Sequence, residues 1–394
     1  MLQTRIPAAY VRGGTSRGLF FRREHLPASE ADWDAIFLAA LGSPDPNKRQ
    51  LDGLGGGISS LSKVVVVEPS GRDDADIDYT FAQVAVDQPL VEYGNNCGNL
   101  TSAVGPFAID EGMVSAAGVV GGNTASVRLF NRNTSKHVVA EIPLEGGEAA
   151  VEGEFALPGV AGHGAAIRLD FIDPAGAVTG SLLPTGAVQE TLDIDGLGHV
   201  QVSLVDAAAP VAFVCADAAG LNGTELPEAI ESDRDVMARL ESIRRAAAVR
   251  MGLATSTGEA ARSLNRPFLA LVALASDTVM LDGETLPAIS VDIVARALSM
   301  GRPHRALPLT VGLCLAAAAR VEGTLVQELA RPPAQGDDDL RIAHPSGLLP
   351  AGARVRGSGE HWTVEGVVAY RTARRLMEGS VLVPKSTLAG GESP

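Results

Sequence analysis

Cysteine is scarce: only Cys97, Cys215 and Cys314 occur in 394 residues. Three widely spaced thiols cannot make a disulfide framework. The seven histidines are scattered, and no His-x-x-x-His or Cys-x-x-Cys spacing appears, so no metal site is expected. Aromatic residues are 4% of the chain, which leaves Val, Leu, Ile and Ala to build the core. Positive charge is short as well. Thirty-two Lys and Arg face 47 Asp and Glu, for a net charge of −15. A polyanion would be repelled, which argues against non-specific nucleic-acid binding but leaves room for a local positive pocket. No apolar run reaches across a bilayer: the longest, Leu307 to Val321, is broken by Pro308 and Gly312. The opening Met1-Leu2-Gln3-Thr4-Arg5-Ile6 lacks the apolar core of a signal peptide. The expectation is a soluble, cytoplasmic protein without membrane or nucleic-acid partners.

What is present is globular in character, with 46% hydrophobic and 20% charged residues. The length favours two domains. Ile6 to Arg22 reads as strand, turn, strand. A helix follows, with Ser29 as its cap, Trp33, Ile36, Phe37 and Leu41 as its stripe, and Gly42 at its end. Lys63 to Val67 is a buried strand, and Ile77 to Val86 alternates as its hairpin partner. Leu100 to Ile109 is a helix without a polar face, the mark of an element enclosed by others. Strands follow at Ser126 to Phe130 and His137 to Ile142. Near Pro184 the pattern restarts: strands over Val200 to Val205 and Pro210 to Cys215, then a long helix from Ser232. A strand from Phe268 to Ala273, a helix near Ser290 to Leu298, and a second apolar helix from Leu309 to Arg320 come next. Strands close the chain at Leu340 to Ala343, Ala353 to Arg356, Trp362 to Arg371 and Gly379 to Val383. The segments 332–339 and 389–394 read as mobile loops, with Asp337-Asp338-Asp339 a solvated turn. Each half thus holds many strands and one central apolar helix, an internal duplication rather than a doubly wound parallel sheet.

The chemistry concentrates in Tyr93-Gly94-Asn95-Asn96-Cys97-Gly98-Asn99, just before the first apolar helix. Gly98 lets a ligand approach the backbone. Asn99 is the expected cap, and the free first-turn N–H groups would face an anion. The same field activates a thiol, although a free cysteine is also a common small core residue. Lys63 ends the loop Gly53 to Ser62, rich in glycine and carrying Ser59 and Ser60, and is followed by four valines. Desolvation there would favour the uncharged amine that a general base requires. A strand-end lysine reaching for water is the competing reading. The loop does not fit Gly-x-x-x-x-Gly-Lys-Ser/Thr, which excludes a nucleotide site. Arg12 to Gly18 brings guanidinium groups and the hydroxyls of Thr15 and Ser16, suited to a carboxylate or to an ordinary turn. Thr185-Gly186 and His344-Pro345-Ser346-Gly347 are turns with hydroxyls to spare. His304 and Arg305 precede the second apolar helix as Cys97 precedes the first.

Taken together, Arg12-Gly13-Gly14-Thr15-Ser16, Asp52-Gly53-Leu54-Gly55-Gly56, Ser62-Lys63, Asn96-Cys97-Gly98-Asn99, Pro184-Thr185-Gly186, His304-Arg305-Ala306 and His344-Pro345-Ser346-Gly347 resemble the 2-methylaconitate cis-trans isomerase (PrpF) family. That family also includes 4-oxalomesaconate tautomerase and methylitaconate isomerase. The resemblance implies an α+β fold of two similar diaminopimelate epimerase-like domains. Each is a β-barrel-like sheet around a central helix, with the active site in the cleft between them. The expected domains are 1–185 and 186–394, the final strand returning to the first. The resemblance further implies a cofactor-free proton-transfer isomerase acting on an unsaturated di- or tricarboxylate. Lys63 and Cys97 would be catalytic. Arg12, Thr15, Ser16, Ser59, Ser60, Asn96, Gly98, Asn99, Thr185, Gly186, His304, Arg305 and Ser346 would bind substrate. A homodimer and a functional link to an aconitase-like dehydratase are implied too. Two departures stand out: Arg17 replaces a lysine common in the family, and Ala187 replaces an asparagine. Cys314 lies inside its helix rather than before it, so a symmetric two-thiol racemase is not expected. The alternatives are oxalomesaconate tautomerisation, a non-catalytic accessory role for an iron–sulfur dehydratase, and amino-acid racemisation.

Overall fold

The computed structural model describes residues 2–93, 96–114, 123–263, 266–299, 301–332, 339–359 and 361–388. Gly94 and Asn95 of the thiol loop, Met300, the expected loops over 333–338 and 389–394, and with them Asp337 and Asp338, lie outside the described residues. The chain divides into two compact units, Met1–Leu169 with Tyr370–Pro394, and Asp170–Ala369. Residues 170–185, read from sequence as part of the first domain, belong to the second unit in this division.

The first unit begins with strands β1 (Gln3–Gly13) and β2 (Ser16–Arg22), then helix α1 (Trp33–Leu41). Next come β3 (Lys63–Pro69), β4 (Ile77–Val84) and helix α2 (Gly98–Asp110). It continues with β5 (Thr124–Asn131), β6 (Lys136–Glu145) and the short β7 (Glu148–Ala149). The second unit holds β8 (Glu190–Ile194), β9 (Gly198–Asp206), β10 (Pro210–Cys215) and helix α3 (Arg234–Arg250). These are followed by β11 (Phe268–Leu274), β12 (Ile293–Ser299), helix α4 (Leu309–Ala318), β13 (Asp339–His344), β14 (Gly347–Ser358) and β15 (His361–Arg371). The last strand, β16 (Ala373–Pro384), is part of the first unit.

The strand pairings repeat. In the first unit the order β16–β1–β2–β3–β4–β5–β6–β7 pairs antiparallel, antiparallel, parallel, antiparallel, parallel, antiparallel, antiparallel. In the second, β8–β9–β10–β11–β12–β13–β14–β15 runs through the same succession of senses. The helices repeat as well. α1 joins β2 to β3 as α3 joins β10 to β11, and α2 joins β4 to β5 as α4 joins β12 to β13.

Physical reasons are visible for most elements. The Val64 to Val67 run is buried on both faces because helices cover both. α2 and α4 are apolar all round because each is buried along almost its whole length. Three sequence expectations need correction. The segment 290–298 is not a helix: Ile293–Ser299 is strand β12, held between β11 and β13. A strand enclosed on both faces loses its alternation and then reads like a short apolar helix. The helix expected from Ser232 is two: Pro227–Ser232, then α3, capped by Asp233, whose side chain accepts from the N–H groups of Asp235 and Val236. Ser29 makes no side-chain cap bond. It precedes a single 3₁₀ turn, Glu30–Asp32, before α1, which Gly42 then ends in the left-handed conformation.

Candidate active site

Alternation along β2, β3 and β4 gives their sheet two faces. Leu19, Phe21, Val64, Val66, Ala82 and Val84 pack with Trp33, Ile36 and Phe37 of α1. The residues between them turn to α2. Phe20 meets Phe107 with ring centroids 5.4 Å apart, and the Tyr79 hydroxyl lies 3.0 Å from that of Thr101. By the same alternation Ser16, Gly18, Lys63 and Gln83 are on the α2 face. They cluster where β2 and β3 begin, near the start of the helix. A side chain at Gly18 would put its Cβ 2.4 Å from the Lys63 carbonyl oxygen, so only glycine lets these strands meet there.

Cys97 itself is the N-cap of α2 and makes no side-chain cap bond. Its Sγ lies 3.9 Å from Ser16 Oγ. The first-turn amides of Gly98 and Asn99 therefore receive nothing from the cap residue, as an anion site requires. Asn99 is not the expected cap but the second helical residue. Its Nδ2 donates to Thr15 Oγ1 at 3.1 Å, and its Oδ1 accepts from Arg371 Nε at 2.9 Å. Asn96 Oδ1 accepts from the hydroxyls of Tyr79, at 3.3 Å, and Thr101, at 3.2 Å. Tyr79 is fully buried, and that burial pushes its phenol up to about 12. The hairpin tip is pinned over the helix: Gly14 has φ +53°, and a Cβ there would sit 2.3 Å from Asn99 Oδ1.

Lys63 is buried at 8% exposure. Its Nζ donates to Gln83 Oε1 at 2.5 Å and sits 5.0 Å from the centre of the Phe81 ring. Gln83 cannot turn its amide over, because Nε2 donates to the carbonyls of Ser59, at 3.1 Å, and Ser62, at 2.9 Å. The serine loop, Gln83 and Lys63 thus form one hydrogen-bonded unit.

So the structure joins Thr15, Ser16, Asn96, Cys97, Gly98 and Asn99 directly, and links Lys63 through Gln83 to the carbonyl of Ser59, which Ser60 follows in the 3₁₀ turn Ser59–Leu61. Arg12 is placed differently. Alternation turns it to the face opposite Gly13, and its Nη1 donates to Gly14 O, Thr372 O and Thr372 Oγ1 at 3.1, 3.0 and 2.9 Å. Thr185 and Gly186 are in the second unit, where the Thr185 hydroxyl donates to Glu190 Oε1 at 2.5 Å. His304, Arg305 and Ser346 come together in that unit. His304 Nδ1 accepts from the Ala306 N–H at 3.0 Å, and Ser346 Oγ donates to Arg305 O at 2.5 Å. Arg305 is also paired with Glu228. Burial pushes the Cys314 thiol up, in keeping with a packing residue. Among the described residues no group of His, Cys, Asp or Glu could hold a metal ion, and no helix is long and apolar enough to cross a membrane.

Sequence reasoning missed Tyr79, Gln83, Thr101 and Arg371. Tyr79 sits in a strand pattern that also fits pure core, and Arg371 is one of several arginines around the junction of β15 and β16. A recess of about 180 Å³ in the first unit, lined by Val11, Phe107, Val151, Ile167 and Arg375, lies along the later turns of α2 and holds none of the chemical groups above.

Comparison with known proteins supplies the rest. The PrpF protein family matches residues 3–384. The 2-methyl-aconitate isomerase of Cupriavidus necator is 40% identical over 97% of this chain and 98% of its own length. The 4-oxalomesaconate tautomerase of Pseudomonas putida is 37% identical over all of both chains. The crystal structure of a methylitaconate-delta-isomerase superposes with a TM-score of 0.87, at 38% identity, covering 100% of this chain and 99% of the other. A hydroxyproline epimerase from Agrobacterium vitis shares the fold alone, with a TM-score of 0.51 at 12% identity over 98% of this chain and 95% of the other.

Proposed function

The chain belongs to the PrpF family, and from that premise we propose that it moves a proton and a double bond within an unsaturated di- or tricarboxylate, 2-methylaconitate first among them. It is an isomerase, as its full-length relatives are. The observation that carries the site is the junction of a helix start bearing Cys97 and an amine, Lys63, on one sheet face.

In this reading a substrate carboxylate or carbonyl sits at the first turn of α2. The free amides there and the side chains of Thr15, Ser16, Asn96 and Asn99 hold the negative charge that develops on it. Lys63, uncharged at that moment, takes an allylic proton. The electron pair of the broken C–H bond spreads over the conjugated carbons and onto oxygen. Gln83 Oε1 accepts an N–H of the ammonium so formed. Returning the proton to the same carbon after rotation about the former double bond gives the other geometric isomer. Returning it to the far carbon shifts the double bond. Cys97 stands ready as the second proton carrier.

The repeated succession of strand pairings supports reading the two units as two copies of one epimerase-like domain, each with a central helix. Only the first copy carries a thiol at the start of that helix, which favours one-sided proton transfer over two-thiol racemisation. In the second unit, His304, Arg305 and Ser346 are proposed as carboxylate-binding residues. A homodimer, a cytoplasmic location and a link to an aconitase-like dehydratase complete the proposal and rest on family resemblance.

Incubation with 2-methylaconitate, aconitate and 4-oxalomesaconate in heavy water, followed by proton NMR, tests the reading. The expected result is deuterium at an allylic carbon together with isomer formation, abolished by Lys63→Ala in a chain with unchanged circular dichroism and slowed by Cys97→Ser. Preference for oxalomesaconate would make the chain a tautomerase. Failure to exchange deuterium into any of the three would leave the accessory role.

A further inference from the structure

We propose that Arg371 is the buried counter-charge of this site, a positioning residue that favours negative charge on Cys97 and on a carboxylate held at the first turn of α2. The proposal goes beyond the acid–base pair named above and rests on that reading only for its carboxylate half.

Arg371 is 4% exposed. Its Nε donates to Asn99 Oδ1 at 2.9 Å and its Nη1 to Tyr370 O at 2.8 Å, both uncharged acceptors. Among the described residues no carboxylate pairs with it. Burying a guanidinium without an opposite charge is costly. Elsewhere the fold supplies that charge. The buried Arg244 has Glu241, at 2.7 Å, and the buried Arg296 feels Glu225. The ionisable group that acts on Arg371 as an opposite charge is Cys97. Burial nevertheless lowers the Arg371 guanidinium to about 10, well above neutral pH, so it keeps its charge in the cell.

The groups around the thiol leave that role to Arg371. From β2 comes the neutral Ser16, and from α2 and its approach Asn96 and Thr101. From β4 comes Tyr79, whose raised pKa keeps it neutral. Lys63, on the same face, is turned to Gln83 Oε1, and the acid–base role proposed for it requires it to give up its charge, whereas Arg371 keeps its own. Water is kept from Arg371 by the hairpin: a Cβ on Gly14 would lie 3.0 Å from Arg371 Cδ. A charge sealed in this way acts through a low dielectric and is felt more strongly than one in solvent. It sits directly behind Asn99, so its field adds to that of the helix start.

The test is alkylation of the full chain by iodoacetamide, with the modified peptide of Cys97 quantified by mass spectrometry apart from those of Cys215 and Cys314. At pH 7, Arg371→Gln should slow the modification of Cys97 by about tenfold or more, because only the thiolate reacts. Arg371→Lys, which keeps the charge, should stay within about threefold of wild type. At pH 10, where an alkaline medium favours the thiolate without help, the gap between the variants should narrow. Equal rates for Gln and Lys at both pH values, whether fast or slow, would overturn the proposal, since packing rather than charge would then govern the thiol. If the Arg371 variants do not fold, Asn99→Ala decides. It leaves the charge and removes the hydrogen bond, so the pH 7 rate should hold, and a tenfold loss would overturn the proposal. Tricarballylate, a saturated and unreactive tricarboxylate, should bind Arg371→Gln at least tenfold more weakly than Arg371→Lys; equal affinities would overturn the carboxylate half. A wild-type chain that alkylates as expected but exchanges no deuterium into any polycarboxylate would refute the isomerase reading and leave the counter-charge standing.

Discussion

Replacing Gln83 with leucine removes one side chain and three contacts of different kinds. The amide oxygen is lost as the acceptor for Lys63 Nζ at 2.5 Å, and the amide nitrogen as the donor to Ser59 O and Ser62 O at 3.1 and 2.9 Å. The volume is nearly kept, so the strand β4 should still pair with β3. The exposed Ser59 carbonyl recovers water and the buried Ser62 carbonyl keeps the Val84 N–H at 3.1 Å, so the expected loss of stability is about 1–2 kcal/mol. Catalysis should suffer more. A hydrogen bond to a charged group contributes about 1.5–3 kcal/mol, and this one is needed in full only when Lys63 carries the proton taken from substrate. Each 1.4 kcal/mol is about tenfold in rate. The turnover number should therefore fall roughly 10- to 150-fold, with little change in substrate affinity. The assay is initial-rate deuterium uptake by NMR at saturating substrate, beside a urea melt of the same preparation. A folded Gln83→Leu chain that keeps more than half of the wild-type rate would refute the idea that this amide supports the charged amine.

Two further outcomes follow from the same geometry. Gly14→Ala forces a left-handed residue (φ +53°) to carry a Cβ 2.3 Å from Asn99 Oδ1, so it should destabilise the chain by about 2 kcal/mol or more in a denaturant melt and abolish exchange. Burial holds the His304 imidazole below its ordinary 6.5. The unfolded chain then takes up the proton first as pH falls, so this group costs stability below about pH 6.5 and nothing above it. His304→Asn, which keeps an acceptor for the Ala306 N–H, should flatten the fall in unfolding free energy between about pH 7 and pH 5 relative to wild type.

Much of the architecture was legible because it rests on local pattern. The hairpin of β3 and β4, the apolar α2 and α4 and the restart near Pro184 all follow from periodicity and turn residues. β12 was misread because burial on both faces erases the alternation that identifies a strand. Within the site, the thiol turn stood out for its small and amide neighbours. The role of Asn99 did not: a cap and an amide in the first helical turn look alike in sequence, and the choice depends on Arg371, which lies 272 positions away in the chain. Gln83 and Tyr79 were hidden for a related reason. Each occupies an ordinary inward position of an ordinary strand, and only the register with Lys63 and the packing of α2 give them partners.

The strand β16 lies against β1 along its whole length, from Gln3 opposite Pro384 to Gly13 opposite Ala373. A ribosome therefore delivers β1 early but its neighbour only after all of 170–369 has been made. Until then the open edge of β1 is unpaired, and Arg371 has not yet reached Asn99. The half that bears the thiol and the amine is thus the last to mature, and a nascent chain stalled before residue 370 would carry both groups without their finished pocket.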